Sequence, residues 1–254
     1  MSQQLFSGVS LEDTAIALLR KHEPPEGYYL AFSGGKDSIV IYDLAVKAGV
    51  KFDAHFSMTT VDPNEVRKFI KDNYPDVIWD RPKSSMFKLI EKHGMPPTRT
   101  MRWCCRELKE IGGRGRLVMT GIRHAESTAR SKRSIYEESN VDKGKFFLHP
   151  IINWSNSDVW DHIKTNKMPY CSLYDEGKMR IGCIMCPMQN TKGMLQDAKR
   201  FPKYYNAYLR AFGRMLKSRK AKGKVWRHGE TPEQVMYWWI HNADMDIDTI
   251  QDTL

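Results

Sequence analysis

The sequence predicts an α/β protein, an open, mostly parallel twisted sheet with helices on both faces, continued by a helical C-terminal extension. Two observations predict it. Short β-rich runs alternate with segments of helical apolar period across residues 28–122, the order that lays parallel strands under covering helices. Beyond residue 190 the β-rich runs cease, and aromatic and basic residues dominate segments that read as helices. The expected organisation is therefore an α/β domain over residues 1–190 and a basic, aromatic helical extension over 191–254, packed on the same domain.

The elements follow in order. "SLEDTAIALLRKH" offers Ser10 as N-cap, acids in the first turn and Ala15, Ile16, Leu18 and Leu19 at helical spacing. After Pro24 and Pro25, "GYYLAFS" reads as a strand and "DSIVIYDLAVKAG" as a helix that stops at Gly49. "FDAHFSM" is a second strand. In "TVDPNEVRKFIKDN", Asp62, Pro63 and Glu65 stand at N-cap, N1 and N3 of a further helix. "DVIWD" and "RLVMTGI" give two more strands. From about residue 123 the chain reads as charged loop, and "FFLHPIINWSNSDVWDHIKTNKM" then supplies a strand and a short helix capped near Ser155. Near the end, Thr231, Pro232 and Gln234 in "TPEQVMYWWIHN" form a capping signature.

The formal charge of +10 makes the surface attractive to anions: nucleotide phosphates, sulfate esters and nucleic acid alike. No apolar run reaches the roughly 20 residues of a membrane span, and the first residues lack the order of a secretory signal. The expectation is a soluble, cytoplasmic protein with no membrane partner. Five cysteines are too few for a disulfide scaffold and leave one over, which favours metal-binding or catalytic thiols.

Two stretches carry chemistry. "AFSGGKDSIV" sets Ser33, Gly34, Gly35, Lys36, Asp37 and Ser38 at a strand-to-helix seam. Adjacent glycines let backbone amides approach an anion, a helix start presents unpaired N–H groups, and the hydroxyls add donors. The spacing is too short for a Walker loop. The second stretch is "RWCCREL", with Cys104 and Cys105 adjacent, complemented by Cys183 and Cys186 in "RIGCIMCPM" after 77 intervening residues. Neighbouring cysteines are too close for an unstrained disulfide with each other. Four thiols in two pairs fit a metal centre. Adjacent residues rarely present both sulfurs to one zinc ion, so a centre with separate corners is preferred to zinc. Lys109 and Arg102 flank the first pair and are expected to tune its negative charge. Cys171 is the odd thiol, read as a small buried apolar residue with a catalytic role left open.

"SGGKDS" resembles the pyrophosphate-binding loop of the adenine nucleotide alpha hydrolase superfamily. "LHPIINWSNSDVWDHIKTNKMPYCSLYDEGKMRIGCIMCP" resembles the phosphoadenosine phosphosulfate reductase family within it, and the likeness spans about residues 28–190. The resemblance implies an adenine nucleotide alpha hydrolase-like fold, with an adenine nucleotide gripped at Ser33, Gly34, Gly35, Lys36, Asp37 and Ser38. It implies a second nucleotide- or sulfate-binding segment in "TGIRHAESTAR", with Gly121, Arg123, Glu126, Ser127 and Arg130 as contacts. Two arginines and a hydroxyl beyond a strand's carboxyl end suit an anion clamp; a solvated charged loop is the alternative for Arg130. Lys36, Asp37, Arg123 and Arg130 are the expected catalytic set. Asp62 sits where such folds recognise the nucleoside, with a plain helix cap as the other reading. Cluster-bearing members of the family also imply a 4Fe-4S cluster on Cys104, Cys105, Cys183 and Cys186.

The family's reductases use a nucleophilic cysteine in a C-terminal "ECG[IL]H" segment, and this sequence has no cysteine after Cys186. They usually lose the loop lysine as well, whereas Lys36 and Asp37 are present here. The leading expectation is thus an ATP-using, adenylation-linked sulfur transfer, normally with Mg²⁺. The alternatives are reduction of adenylyl sulfate (APS) or its 3′-phosphorylated form (PAPS), or a non-catalytic nucleotide- and cluster-binding component. An adenine nucleotide is the expected partner; a sulfur donor or reductant protein and a nucleic-acid acceptor are further candidates, the latter through the basic stretch near Tyr204, Tyr205, Tyr208 and Trp226, for which a solvated helix face over an aromatic core is the alternative reading, and a homo-oligomer is left open.

Overall fold

The computed structural model describes residues 8–245. Six strands form one sheet in the order β3-β2-β1-β4-β6-β5: β1 (Tyr28–Ala31), β2 (Phe52–Ser57), β3 (Ile78–Asp80), β4 (Leu117–Met119), β5 (Tyr136–Glu138) and β6 (Phe146–Leu148). All pairings are parallel except β5 with β6. The central strands read as continuous apolar runs because both faces are covered: Tyr28, Tyr29 and Leu30 of β1 and all of β4 are buried. The two tyrosines of β1 point to opposite faces, and each hydroxyl finds an acceptor there. Tyr28 donates to the Leu19 carbonyl at 2.7 Å and Tyr29 to Asp80 at 2.9 Å.

Capping chemistry sets the helix ends. Ser10 starts α1 (Leu11–Lys21), and Gly49 ends α2 (Lys36–Ala48) in the left-handed region. A Ser155–Asp158 capping box starts α6 (Asn156–Thr165), and a Thr231–Gln234 box starts α9 (Pro232–His241).

Compact packing divides the chain into two units, and the division does not run at residue 190. One comprises, of the described residues, 8–57, 64–80 and 111–181; it holds the sheet with α1, α2, α3 (Asn64–Asn73) and α6. The other comprises, of the described residues, 58–63, 81–110 and 182–245. It holds α4 (Met86–His93), α5 (Trp103–Leu108), α7 (Thr191–Arg200), α8 (Pro202–Ala221) and α9. Its core gathers Leu89, Trp103, Ile184, Phe212 and Trp239 around the fully buried ring of Tyr208. Among the described residues no helix is long and apolar enough to cross a membrane.

Two expectations are corrected. The charged stretch after residue 123 is not wholly loop, because Tyr136–Glu138 pairs antiparallel with β6 as an edge strand. Its polar side chains hide the period of a strand. Helix α3 begins at Asn64, and Asp62 does not act as its cap: its carboxylate accepts instead from the Thr59 N–H at 2.6 Å and the Thr59 hydroxyl at 2.7 Å.

His149, fully buried after β6, accepts from the Thr120 hydroxyl at 2.7 Å and faces Glu137 at 3.4 Å. Burial holds its pKa down to about 4 against Glu137, helped by the charges of Arg133 and Arg130. The unfolded chain therefore takes up a proton near the ordinary histidine value that the fold refuses. Stability from this group is full above about pH 6.5 and is lost as pH falls, by about 2 kcal/mol between pH 7 and pH 5. Urea titrations at those two pH values should show that loss in the wild type and little of it in His149→Asn.

Candidate functional site

In the sheet order, the chain runs outward from β1 through β2 to β3, then crosses to the other side of β1 to form β4. The carboxyl ends of β1 and β4 are thus a topological switch point, where the following loops diverge and leave a crevice. Leu30 is in register with Met119, so the segments beginning at Phe32 and Thr120 emerge side by side. These are the segments that carry "SGGKDS" and "TGIRHAESTAR".

Gly34 has a φ of +71°, and a Cβ there would stand 3.0 Å from Ile70. Only glycine serves at such a bend. Gly35 is the N-cap of α2, and Lys36 is its first residue, 5% exposed. Ser38 donates to the Gly35 carbonyl and accepts the Ser33 N–H, which fixes the bend from inside. Gly121 lies so close to the first turn of α2 that a Cβ would meet Asp37 backbone atoms at 2.9 Å. It serves as a packing surface for the loop.

Asp37 joins the two segments. One carboxylate oxygen is 3.0 Å from the Lys36 ammonium and the other 2.7 Å from Arg123 Nε. Arg123, 2% exposed, also donates to the Trp154 carbonyl at 3.2 Å. The expected anion clamp is hence divided: Lys36, Asp37 and Arg123 come together, whereas Arg130 pairs with Glu126 inside its own loop. Glu126 also accepts the Arg123 N–H, and Ser127 accepts the Arg130 N–H.

Tyr174 was not expected in this role. Its hydroxyl accepts the Lys36 N–H at 2.8 Å, the first amide of α2 and the position a phosphate oxygen would take. The phenol packs edge-on to Trp160, and burial raises its pKa, so it stays neutral. The motif "LYDEG" was the available signal, but nothing local tells a tyrosine that plugs a loop from one that packs.

The thiols lie in the helical unit. Cys104 and Cys105 open α5, and Cys183 and Cys186 bracket a turn whose central Met185 has a φ of +55°. Such a conformation persists only where the surroundings over-determine it. Here buried Asp197 of α7 accepts both the Met185 N–H at 2.9 Å and the Gln189 amide at 2.7 Å, and Ile184 donates to the Val61 carbonyl at 2.8 Å. Cys183 donates to Thr59, which in turn donates to Asp62. Asp62 therefore braces the thiol segment.

The thiols share one electrostatic environment. A hydrogen bond from Cys104 holds the Cys105 thiol down to about 5, with the Arg102 guanidinium 3.5 Å from its sulfur. Cys104 is raised by the same bond, by burial and by the charges of Cys105, Cys183 and Cys186. Lys109 is held protonated by Cys183 first, then by Asp62 and by Cys105 and Cys186. Among the described residues no three His, Cys, Asp or Glu side chains converge as a single-ion site. Four thiols flanked by Arg102 and Lys109 are, in their chemistry, donors suited to an anionic metal group. Cys171 is fully buried, in the sheet-bearing unit.

Residues 27–189 match the family model described as the phosphoadenosine phosphosulfate reductase domain. An uncharacterized protein of Methanocaldococcus jannaschii is 33% identical over 72% of this chain and 47% of its own length. The chain spans less than half the length of the first curated relatives it matches. An adenosine 5′-phosphosulfate reductase of Oceanobacillus iheyensis is 29% identical, covering 63% of this chain and 70% of the relative. In fold, the chain is similar to the crystal structure of phosphoadenylyl-sulfate reductase from Candida auris in its phosphate complex. The TM-score is 0.52 at 22% identity, over 72% of this chain and 98% of that one.

Two outcomes are expected at this site. Tyr174→Phe removes the competitor for the Lys36 amide, worth about 1 kcal/mol, and should tighten pyrophosphate binding about fivefold by calorimetry. Asp37→Ala leaves Arg123 buried without its partner and should cost about 3–5 kcal/mol in a denaturant titration.

Proposed function

The chain belongs to the phosphoadenosine phosphosulfate reductase domain family, and from that premise we propose that it is an ATP-using member that couples adenylation of an acceptor to sulfur transfer. The observation that carries this reading is the Lys36–Asp37–Arg123 ion triad, held in a glycine-bent loop at the switch point of the sheet. A buried ammonium fixed at a helix start suits charge that develops on a departing pyrophosphate.

In this reading an acceptor oxygen attacks the α-phosphorus of ATP, the bond to the bridging oxygen breaks, and pyrophosphate leaves with the bonding pair. A hydrosulfide-level donor then displaces AMP, so that acceptor–O–AMP and HS⁻ become acceptor–SH and AMP. Ser33, Ser38 and the loop amides hold the phosphates, with Mg²⁺ accompanying them. Lys36 neutralises the leaving group. Asp37 positions Lys36 and Arg123, and displacement of the Tyr174 hydroxyl opens the Lys36 amide.

Cys104, Cys105, Cys183 and Cys186 are the proposed ligands of a 4Fe-4S cluster, which would supply a site for binding or relaying sulfur or electrons. Lys109 and Arg102 offset its negative charge. Asp62, through Thr59, and Asp197 keep the ligand segments in shape.

A second reading, reduction of APS or PAPS to sulfite, is favoured by the name of the Oceanobacillus relative. It needs an accessible nucleophilic thiol, and Cys171 is fully buried. Anaerobically prepared protein given ATP, Mg²⁺ and sulfide with candidate acceptors should release pyrophosphate, and Lys36→Ala should cut the rate about 100-fold. Sulfite formed from APS or PAPS with a reductant and no ATP would overturn the leading reading. Iron and acid-labile sulfide should accompany the purified wild type and fall away in Cys183→Ser.

A further inference from the structure

The stretch 214–229, from the end of α8 into the connection to α9, carries Arg214, Lys217, Arg219, Lys220, Lys222, Lys224 and Arg227 and no acid. Those seven charges stand against a net +10 for the whole chain, so the rest of the sequence nets +3. The basic character of this protein is local, and it surrounds a hollow of about 550 Å³, within the range of small-ligand sites.

The cations there are of two kinds. Arg219 is structural: it donates to the carbonyls of Gly94 at 3.0 Å and Val225 at 2.8 Å, and lies over the Trp226 ring at 5.3 Å. It braces the loop that forms one wall. Lys217, Lys220 and Lys224 line the hollow, and among the described residues none has an ion pair or hydrogen bond for its ammonium. Lys217 and Lys220 stand three residues apart on α8 and therefore share a face. The walls between these ammonium groups are largely apolar, built from Leu216, Val225, Trp226 and Pro232, with Val225 78% exposed, and Glu230 is the one acid in the lining, against three lysines.

We propose that this hollow binds single-stranded nucleic acid, with phosphates on Lys217, Lys220 and Lys224 and a base against the Leu216, Val225 and Trp226 wall. A polyanion alone explains the lysines and leaves the apolar wall without a use; a base on its sugar-phosphate uses both. A lipid surface fits less well. The apolar stripe of α8, Tyr208, Ala211, Phe212 and Met215, is buried in the core, so this helix offers no amphipathic face to a membrane. A stacked duplex would not offer a base to a hollow of this kind. The inference extends the sulfur-transfer reading by naming the class of acceptor, but binding itself needs neither ATP nor the thiol centre.

The test measures anisotropy of a labelled mixed-sequence DNA strand with the full chain, without ATP, as salt is varied. The same strand as a duplex and phosphatidylserine–phosphatidylcholine vesicles run in parallel. The single strand should bind, with affinity falling as salt rises. The triple variant K217A/K220A/K224A should weaken binding at least tenfold and reduce the log–log salt slope by about 2, at roughly 0.7 per phosphate contact. Val225→Glu, an exposed single change, should weaken it too. Lys68→Ala combined with Lys71→Ala, exposed lysines on α3, should not. Unchanged affinity in both hollow variants, or duplex or vesicles bound as tightly as the single strand, would overturn the proposal. Failure of the sulfur-transfer reading shows separately, as absent pyrophosphate release by protein that still binds the strand.

Discussion

The carboxylate of Asp37 is the interaction on which the candidate nucleotide site depends. It lies in the first turn of α2 and takes one cation from each side, Lys36 from its own loop and Arg123 from the segment after β4. A guanidinium as buried as that of Arg123 is tolerable only when it is paired and hydrogen-bonded. The Trp154 carbonyl provides its second acceptor. Three segments far apart in sequence are thereby fixed at one end of the sheet, and Gly121 lets them approach closely enough for the bonds to form.

The thiol-bearing unit uses a different device to the same end. Cys104 and Cys105 sit on α5, but the turn that carries Cys183 and Cys186 is irregular, so no helix or strand dictates its shape. Asp62 and Asp197 do so instead, each a buried carboxylate whose hydrogen bonds hold backbone N–H groups in a turn. Carboxylates placed near four thiols would repel their ionised forms. Each carboxylate holds two hydrogen-bond donors, and Lys109 supplies a compensating positive charge beside Asp62 and the thiols.

Much of this was legible in the sequence because it rests on local chemistry. Ser10, Ser155 and Thr231 cap the helices they precede, Gly49 ends α2, and the alternation of strands with helices specifies the parallel sheet. Other features escaped for physical reasons. The strand Tyr136–Glu138 owes its existence to the backbone edge of β6 rather than to its own side chains. Asp62 has the position of a cap, yet its carboxylate bends back to Thr59, a choice between two local partners that sequence spacing does not resolve. Tyr174 meets Lys36 across 138 residues of chain, and Asp197 meets Met185 only because α7 folds against the turn. Contacts of that kind depend on the finished packing.

The sheet ends on both sides in strands of three residues, β3 and β5. Each is too short to template a passing chain, and β5 adds Glu137 and Glu138, with the Arg133 guanidinium tied to Glu137. An open parallel sheet has two unpaired borders by construction, and borders of this sort recruit other strands when they are long, flat and apolar. Here the antiparallel strand after the switch point closes the border of β6 with charge. Short, charged borders of this kind disfavour edge-to-edge pairing.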